Sequence, residues 1–395
     1  MSAPEAASRR PDDAPAVDLD VFASLIPGGG IGRFVRLLVR ALLERPDAPR
    51  HRFVITRNLR ARARSLHPRT ERVELPLTWR ELAAVMMAGT WLGWRFDALY
   101  GRPAVVHSPA GYGPRFRRAR LVNQVHDITY WTNPEWHTRK TSALQSVTAP
   151  AACRAAARVL TDSEFVRRQV IEQFGVAPER VQAVALPLDP DFRPLPAGEA
   201  RAHVQRRFGL EGPFVLHVST IEPRKNQARL VEAWESLRRA GFPGPLLLVG
   251  ADGWRQAPIL ARIEASPFSR DVRRVRDADD RDLVALYGAA TMTAFPSLSE
   301  GFGYPLLESM ACGTPCVASD HPALVELAAG AAPLVPATST EALAEAMVAL
   351  WRDEAERARW GAAGLGRAAG FGFEPWAERM FAIYREELAA ASSSK

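Results

Sequence analysis

Short apolar runs broken by glycine, proline and polar turns recur along the chain, with stretches of helical period between them. Residues 17–26 read as a buried strand, followed by the turn Pro27-Gly28-Gly29-Gly30-Ile31-Gly32-Arg33 and an amphipathic helix to about Glu44. Residues 50–75 alternate arginine with apolar residues and predict a strand, a basic connector and a second strand. Runs at 104–108, 120–126 and 158–163 add three more strands, each ending in polar residues where α/β sheets place their ligands. A helix over 164–174 follows the last of these. The passage LDPDFRPLPAG then breaks the periodicity and marks a linker between Pro187 and Glu199. Beyond it the alternation resumes, with strands at 214–220, 245–250, 270–276, 291–295 and 316–318. Helices are expected at 227–240, 281–289, 338–351, 354–369 and 374–391. This grammar on both sides of one linker predicts an α/β protein of two Rossmann-like domains, over 15–190 and 191–373.

The densest stretch is TMTAFPSLSEGFGYPLLESMACGTPCV, residues 291–317. Pro296, Gly301 and Gly303 break its first strand, Pro305 suits the first position of a helix, and Gly313 with Pro315 ends that helix. Glycines there let a ligand approach the backbone, and free N–H groups at a helix start attract phosphate. Glu300 and Glu308 would flank such an anion, which suits a nucleotide sugar with hydroxyls on both sides of its diphosphate. By spacing alone the pair also fits a solvated face. Arg224 and Lys225, between a strand and a helix, can neutralise a diphosphate, one as a planar fork and the other as a point charge. Surface solvation is the plainer alternative. The glycine turn over 27–33 faces phosphate in this reading; a dinucleotide fold is the rival, although Val35 stands where G-x-G-x-x-G needs its third glycine. A lone histidine such as His126 is commonly structural.

Taken together, PSLSEGFGYPLLESMACGTP, GGIGR, QVHDITYWTNPEW and HVSTIEPRKN resemble the motifs of the retaining GT-B glycosyltransferases of family 4. The resemblance implies a GT-B fold, two Rossmann-like domains facing across a cleft, with the terminal helix over 374–391 crossing back to the first. It implies His126, Glu300 and Lys225 as catalytic residues. Glu300 and His126 would reach the donor sugar, the latter ahead of His107, and Lys225 the donor phosphates. Donor contacts would also come from Gly29, Gly30, Arg224, Gly301, Phe302, Gly303 and, at the ribose, Glu308. Thr220 stands where many members carry an arginine, which leaves Arg224 to substitute. Residues 277–280 would face the base pocket. No metal and no cofactor beyond the donor is implied. The implied reaction moves a hexose with retention from a nucleotide-diphosphate sugar to a hydroxyl of a glycan or polyprenyl-linked glycan, in cell-surface polysaccharide synthesis. GDP-mannose is the first donor and UDP-sugars the next.

Composition adjusts this picture only in places. A chain of 395 residues with 47% hydrophobic content suits two globular domains. No apolar run approaches the roughly 20 residues that span a bilayer, and MSAPEAASRRPDDAP lacks a signal-peptide core, so residues 1–14 read as a disordered tail. Cys153, Cys312 and Cys316 are an odd number without zinc spacing, which points to a reducing cytoplasm. The net charge of +7 rests on arginine, because Lys140, Lys225 and Lys395 are the only lysines. Such a balance permits anionic lipids or substrates, but the arginines are dispersed and no nucleic-acid module is present. Residues 81–94, ELAAVMMAGTWLGW between Arg80 and Arg95, suit either a peripheral contact with the inner membrane or a buried core helix. A sugar-nucleotide epimerase and a binding-only relative of the same fold are the remaining readings.

Overall fold

The structure, a computed structural model, describes residues 15–25, 29–68, 70–111, 113–196 and 198–393. The tail expected over 1–14 lies outside them, as do Ile26, Pro27 and Gly28. The first sheet comprises β1 (Val17–Asp20), β2 (His51–Thr56), β3 (Arg72–Leu75), β4 (Val105–Ser108), β5 (Arg120–Val125), β6 (Arg158–Thr161) and β7 (Val181–Ala183). Its order is β3-β2-β1-β4-β5-β6-β7, parallel throughout. The second holds β8 (Val215–Val218), β9 (Leu246–Val249), β10 (Val272–Val275), β11 (Met292–Phe295), β12 (Cys316–Ser319) and β13 (Leu334–Val335). These run in the order β10-β9-β8-β11-β12-β13, again parallel. Helices cover both faces of a parallel sheet, so its strands are apolar without alternation; every residue of β9 and β12 is buried. In each sheet the strand order reverses once, between β1 and β4 and between β8 and β11. Ligands of such sheets bind beyond the strand carboxyl ends at that switch point.

Local chemistry shifts several expected boundaries. β1 stops at Asp20 because the Asp20 carboxylate accepts the Phe22 N–H at 2.9 Å and the Ser24 hydroxyl donates to the Val21 carbonyl at 2.7 Å. These bonds turn Phe22–Leu25 into a single helical turn instead of more strand. Part of the basic connector is itself a helix, Arg60–Leu66, whose Arg60 and Arg64 pair with Glu74 of β3. Pro305 occupies the second position of the helix Tyr304–Ala311, not the first, and Gly303 caps it at φ 111°. All three cysteines are free and buried.

The helix Trp79–Leu92 matches neither expectation end to end. It buries Leu82, Met86 and Gly89, while Trp91, Leu92 and Trp94 are 77%, 63% and 48% exposed. No helix of the described residues is long and apolar enough to cross a membrane.

The terminal helix Phe373–Ser393 lies against the first sheet. Its Tyr384 hydroxyl bonds Nδ1 of His107 at 2.6 Å. Its buried Glu387 accepts from Nε of Arg120 at 2.6 Å and Nε of Arg158 at 3.0 Å. Glu387→Ala would take the buried carboxylate from Arg120 and from Arg158, which keeps Glu386 and Gln182, so a loss of about 2 kcal/mol is expected in urea unfolding.

Candidate functional site

The carboxyl ends of β8 and β11 bring together the two segments singled out for phosphate chemistry. After β8, Pro223–Lys225 form one tight turn that ends at Asn226 in the left-handed region, and Asn226 donates to the Pro296 carbonyl of the facing loop at 3.0 Å. Arg224 and Lys225 thereby meet Glu300: Lys225 Nζ lies 2.6 Å from Oε1, and Arg224 Nη1 lies 2.9 Å from Oε2. Arg224 also reaches Glu222 at 2.9 Å and the Ser299 carbonyl at 2.9 Å. All four charged groups are largely buried. Burial pushes the Glu300 carboxyl up, but the two adjacent cations outweigh it and hold it below the usual range. Burial and the charge of Arg224 pull the Lys225 ammonium down, against Glu300. The Thr220 side chain packs at Gly253, where an added Cβ would meet its methyl at 2.6 Å.

A second group faces this one from the other side of the loop. Glu308, buried on its helix, accepts from the Tyr287 hydroxyl at 2.9 Å and pairs with Arg33 of the helix Gly30–Glu44. Arg33 also binds Asp280, at 2.6 Å. Gly29 stands at the N-cap of that helix at φ 79°, and among the described residues no side chain caps the first N–H groups of it or of the helix Tyr304–Ala311. The two helix starts adjoin, since a Cβ on Gly30 would lie 3.6 Å from the Tyr304 ring. Two helix N-termini from opposite domains, each with a glycine and no described side chain at the cap, therefore open on one place, with the dipole sense that favours an anion. Phe302 points away into packing, edge-on to Phe371 and Tyr304 at 5.9 and 5.7 Å.

The domains meet across this site. The Ser163 hydroxyl donates to the Gly301 carbonyl at 2.7 Å, and the Glu326 carboxylate accepts the Glu164 and Phe165 N–H groups at 2.9 and 3.2 Å. At the far rim the Trp254 indole N–H donates to the Trp136 carbonyl and Arg255 to the His137 carbonyl. His126, just beyond β5, places its own carbonyl against Gly301. Its Nδ1 lies 2.7 Å from Asp162 Oδ2 and its Nε2 lies 2.8 Å from the Pro109 carbonyl oxygen.

The His126 carbonyl, Glu300, Gly301, Arg224 and Lys225 thus gather at one point, with the His126 ring turned to Asp162 and the Pro109 carbonyl, and Gly29, Gly30, Gly303 and Glu308 lie at a neighbouring one. Within the base-facing stretch expected at 277–280, Asp277 pairs with Arg207 and Asp280 with Arg33. The sequence reading passed over Arg33, Asp127, Asp162, Glu222 and His321. Asp127 and Asp162 carried a usable signal, since each stands at a strand's carboxyl end. Arg33 lay inside the quoted GGIGR turn. His321 carried none: it caps the helix Pro322–Ala328, leaves Nδ1 buried without a partner, and lies near enough to Glu300, Arg224 and Asp127 to respond to their charges.

Two facing parallel α/β domains, with the paired charges of Arg224, Lys225, Glu222 and Glu300 at the carboxyl ends of the second sheet, have the architecture of the GT-B glycosyltransferases. The family description "Glycosyl transferases group 1" matches residues 199–367, and "Glycosyltransferase Family 4" matches residues 28–192. The chain belongs to this family of glycosyltransferases. It is 29% identical over 283 residues to O-antigen chain mannosyltransferase B of Escherichia coli, covering 71% of this chain and 74% of that protein. It is 30% identical over 319 residues to D-inositol 3-phosphate glycosyltransferase 1 of Catenulispora acidiphila, covering 77% of this chain and 72% of the relative. In fold it is similar to Anabaena HepE crystallised with UDP and glucose, with a TM-score of 0.73, 17% identity and coverage of 94% of this chain and 100% of the other.

Proposed function

We propose that the protein is a retaining, metal-independent hexosyltransferase that moves mannose from GDP-mannose to a hydroxyl of a glycan or polyprenyl-linked glycan in cell-surface polysaccharide synthesis. The observation that carries this reading is the convergence of Arg224 and Lys225 on Glu300 beside two glycine-capped helix N-termini. That arrangement suits a diphosphate whose charge grows as the glycosidic bond breaks, and it supplies stabilisation from fixed cations and dipoles. In this reading the diphosphate is released and the acceptor hydroxyl adds to the same face of the sugar, its proton leaving with the phosphate. Glu300 and His126 hold the sugar, and Glu308 the ribose. Closure at Gly301 excludes water and protects the donor from hydrolysis. The choice of mannose and of a polysaccharide product leans on the Escherichia coli relative, an O-antigen mannosyltransferase.

Melting temperature against GDP-, UDP-, dTDP- and ADP-sugars tests the donor, because a ligand at about 100 times its Kd adds roughly 2.7 kcal/mol. Stabilisation by GDP-mannose is expected. Stabilisation by a UDP-sugar alone would replace the donor. No response to any of them, with candidate acceptors present, would remove the donor-binding reading.

The exposed Trp91, Leu92 and Trp94, flanked by Arg80 and Arg95, support peripheral contact with the cytoplasmic face of an anionic membrane, where a lipid-linked acceptor would be met. In flotation the wild type is expected to rise with anionic liposomes, and the double variant Trp91→Ser, Trp94→Ser to stay behind.

A further inference from the structure

We propose that Asp162 is a positioning residue that holds His126 as an imidazolium, so that this histidine serves the transfer as a fixed cation and hydrogen-bond donor and never as a base. The inference rests on the donor-binding reading above. Its ground is the identity of the two atoms that face the ring. Nδ1 lies 2.7 Å from an Asp162 carboxylate oxygen, and Nε2 lies 2.8 Å from the Pro109 carbonyl oxygen. A carbonyl oxygen has no proton to give and an ionised carboxylate only accepts, so two such partners require an N–H on both nitrogens. A neutral ring could satisfy one of them and would leave the other facing a bare lone pair.

Asp162 is itself built for this task. Its second oxygen accepts the Gln124 side-chain amide at 2.6 Å, which fixes the carboxylate plane beside β5. It is buried, so its charge acts on the ring with little screening. The other groups around His126 do not oppose it. Asp127, the next residue, adds negative charge; His107, which burial brings down to about 3, is neutral; and Phe34 presents a ring at 5.3 Å with no charge at all. Burial by itself would drive His126 neutral, and Asp162, the Pro109 carbonyl and Asp127 together reverse that, so the pKa is raised. The sign follows: the ring is charged below its raised pKa, its contribution to stability is fully present below the unfolded value, and both are lost as pH rises through the folded value.

The consequence for transfer is specific. The Nε2–H is held by the Pro109 carbonyl, so a small ring movement would let the same N–H donate to an oxygen of an arriving donor, the proton staying on the ring. Asp162 touches neither reactant and acts only through the ring.

The test uses the full chain labelled with 15N-histidine, the His126 ring assigned through His126→Gln. Both ring nitrogens are expected to stay protonated at a pH just above the ordinary histidine value of about 6.5. In Asp162→Asn one of them should lose its proton at that pH, and Asp162→Glu should restore it. In the turnover assay the alkaline limb of the pH–rate profile should move to lower pH by about one unit or more in Asp162→Asn, as loss of one adjacent opposite charge does. A wild-type ring with one bare nitrogen at or below the ordinary histidine value overturns the proposal. An imidazolium in the wild type with an unmoved alkaline limb in Asp162→Asn also overturns it, by leaving Asp162 structural only. The wild-type ring titration needs no donor and does not depend on the Asp162 variants folding. If no sugar nucleotide is turned over, the donor reading fails while the charge state is still decided.

Discussion

Glu300→Ala is expected to lose turnover and stability together. The carboxylate neutralises two largely buried cations at 2.6 and 2.9 Å, and removing it leaves both without their shared partner. Breaking a buried pair from one side costs about 3 kcal/mol even when some solvent reaches the survivor. The loss of one group that acts on the transition state should lower kcat by about a hundredfold. Lys225→Ala should match that catalytic loss with a smaller change in stability, because Arg224 still faces Glu300. The double variant should be less unstable than the sum of the two, since it no longer carries an unpaired Lys225, a coupling that a double-mutant cycle reads directly. The pH sense can be checked on the same samples. The Glu300 carboxyl is held below its usual range, so its contribution is present above the unfolded carboxyl value of about 4.3 and fades as pH falls through the lower folded value. Glu300→Gln keeps the shape without the charge and should lose this acid-side dependence. Kinetics near wild type in both single variants would place the chemistry elsewhere.

The sheets were legible because parallel strands buried on both faces write themselves as unbroken apolar runs, as in PLLLVG around β9 and PCVAS around β12. The phosphate-facing loops were legible because glycine, proline and paired charges cluster where a strand ends. What stayed hidden has identifiable causes. The helix Glu199–Phe208, between the linker and the first strand of the second domain, drew no assignment because Ala200 and Val204 are its only buried residues and too few to write a helical period. β1 was drawn too long because the bond from Asp20 to the Phe22 N–H leaves no trace in a hydropathy pattern. The partner of Glu308 is Arg33, in the other domain, and no local spacing links the two. The helix Trp79–Leu92 read as one of two uniform environments, whereas it changes from buried to exposed along its length. The two glycines of EGFG were read alike, as room for a ligand, yet they differ: Gly303 adopts a left-handed turn that caps a helix, while Gly301 has no positive φ and is required by a neighbour.

That neighbour makes Gly301→Ala the most selective way to separate donor binding from transfer. An added Cβ would lie 1.6 Å from the His126 carbonyl oxygen and 3.3 Å from the Asp127 Cβ. The first of these is backbone at the end of β5, so no side-chain rotation relieves it. Either the loop retreats or the two domains part by more than an ångström, and both break the bond from the Ser163 hydroxyl to the Gly301 carbonyl. A misplacement of about 1 Å between groups that must act together can cost a hundredfold in rate, and kcat in Gly301→Ala is expected to fall by about that factor. Arg224, Lys225, Glu300 and Glu308 all belong to the second domain and keep their mutual arrangement if the domains simply open. Donor-induced stabilisation should therefore survive in the variant while transfer does not, and the radius of gyration in solution should rise. A variant that lost donor binding as well would show that the loop itself, and not the domain contact, had yielded. One that kept wild-type kcat would mean that transfer does not need the close contact between Gly301 and His126.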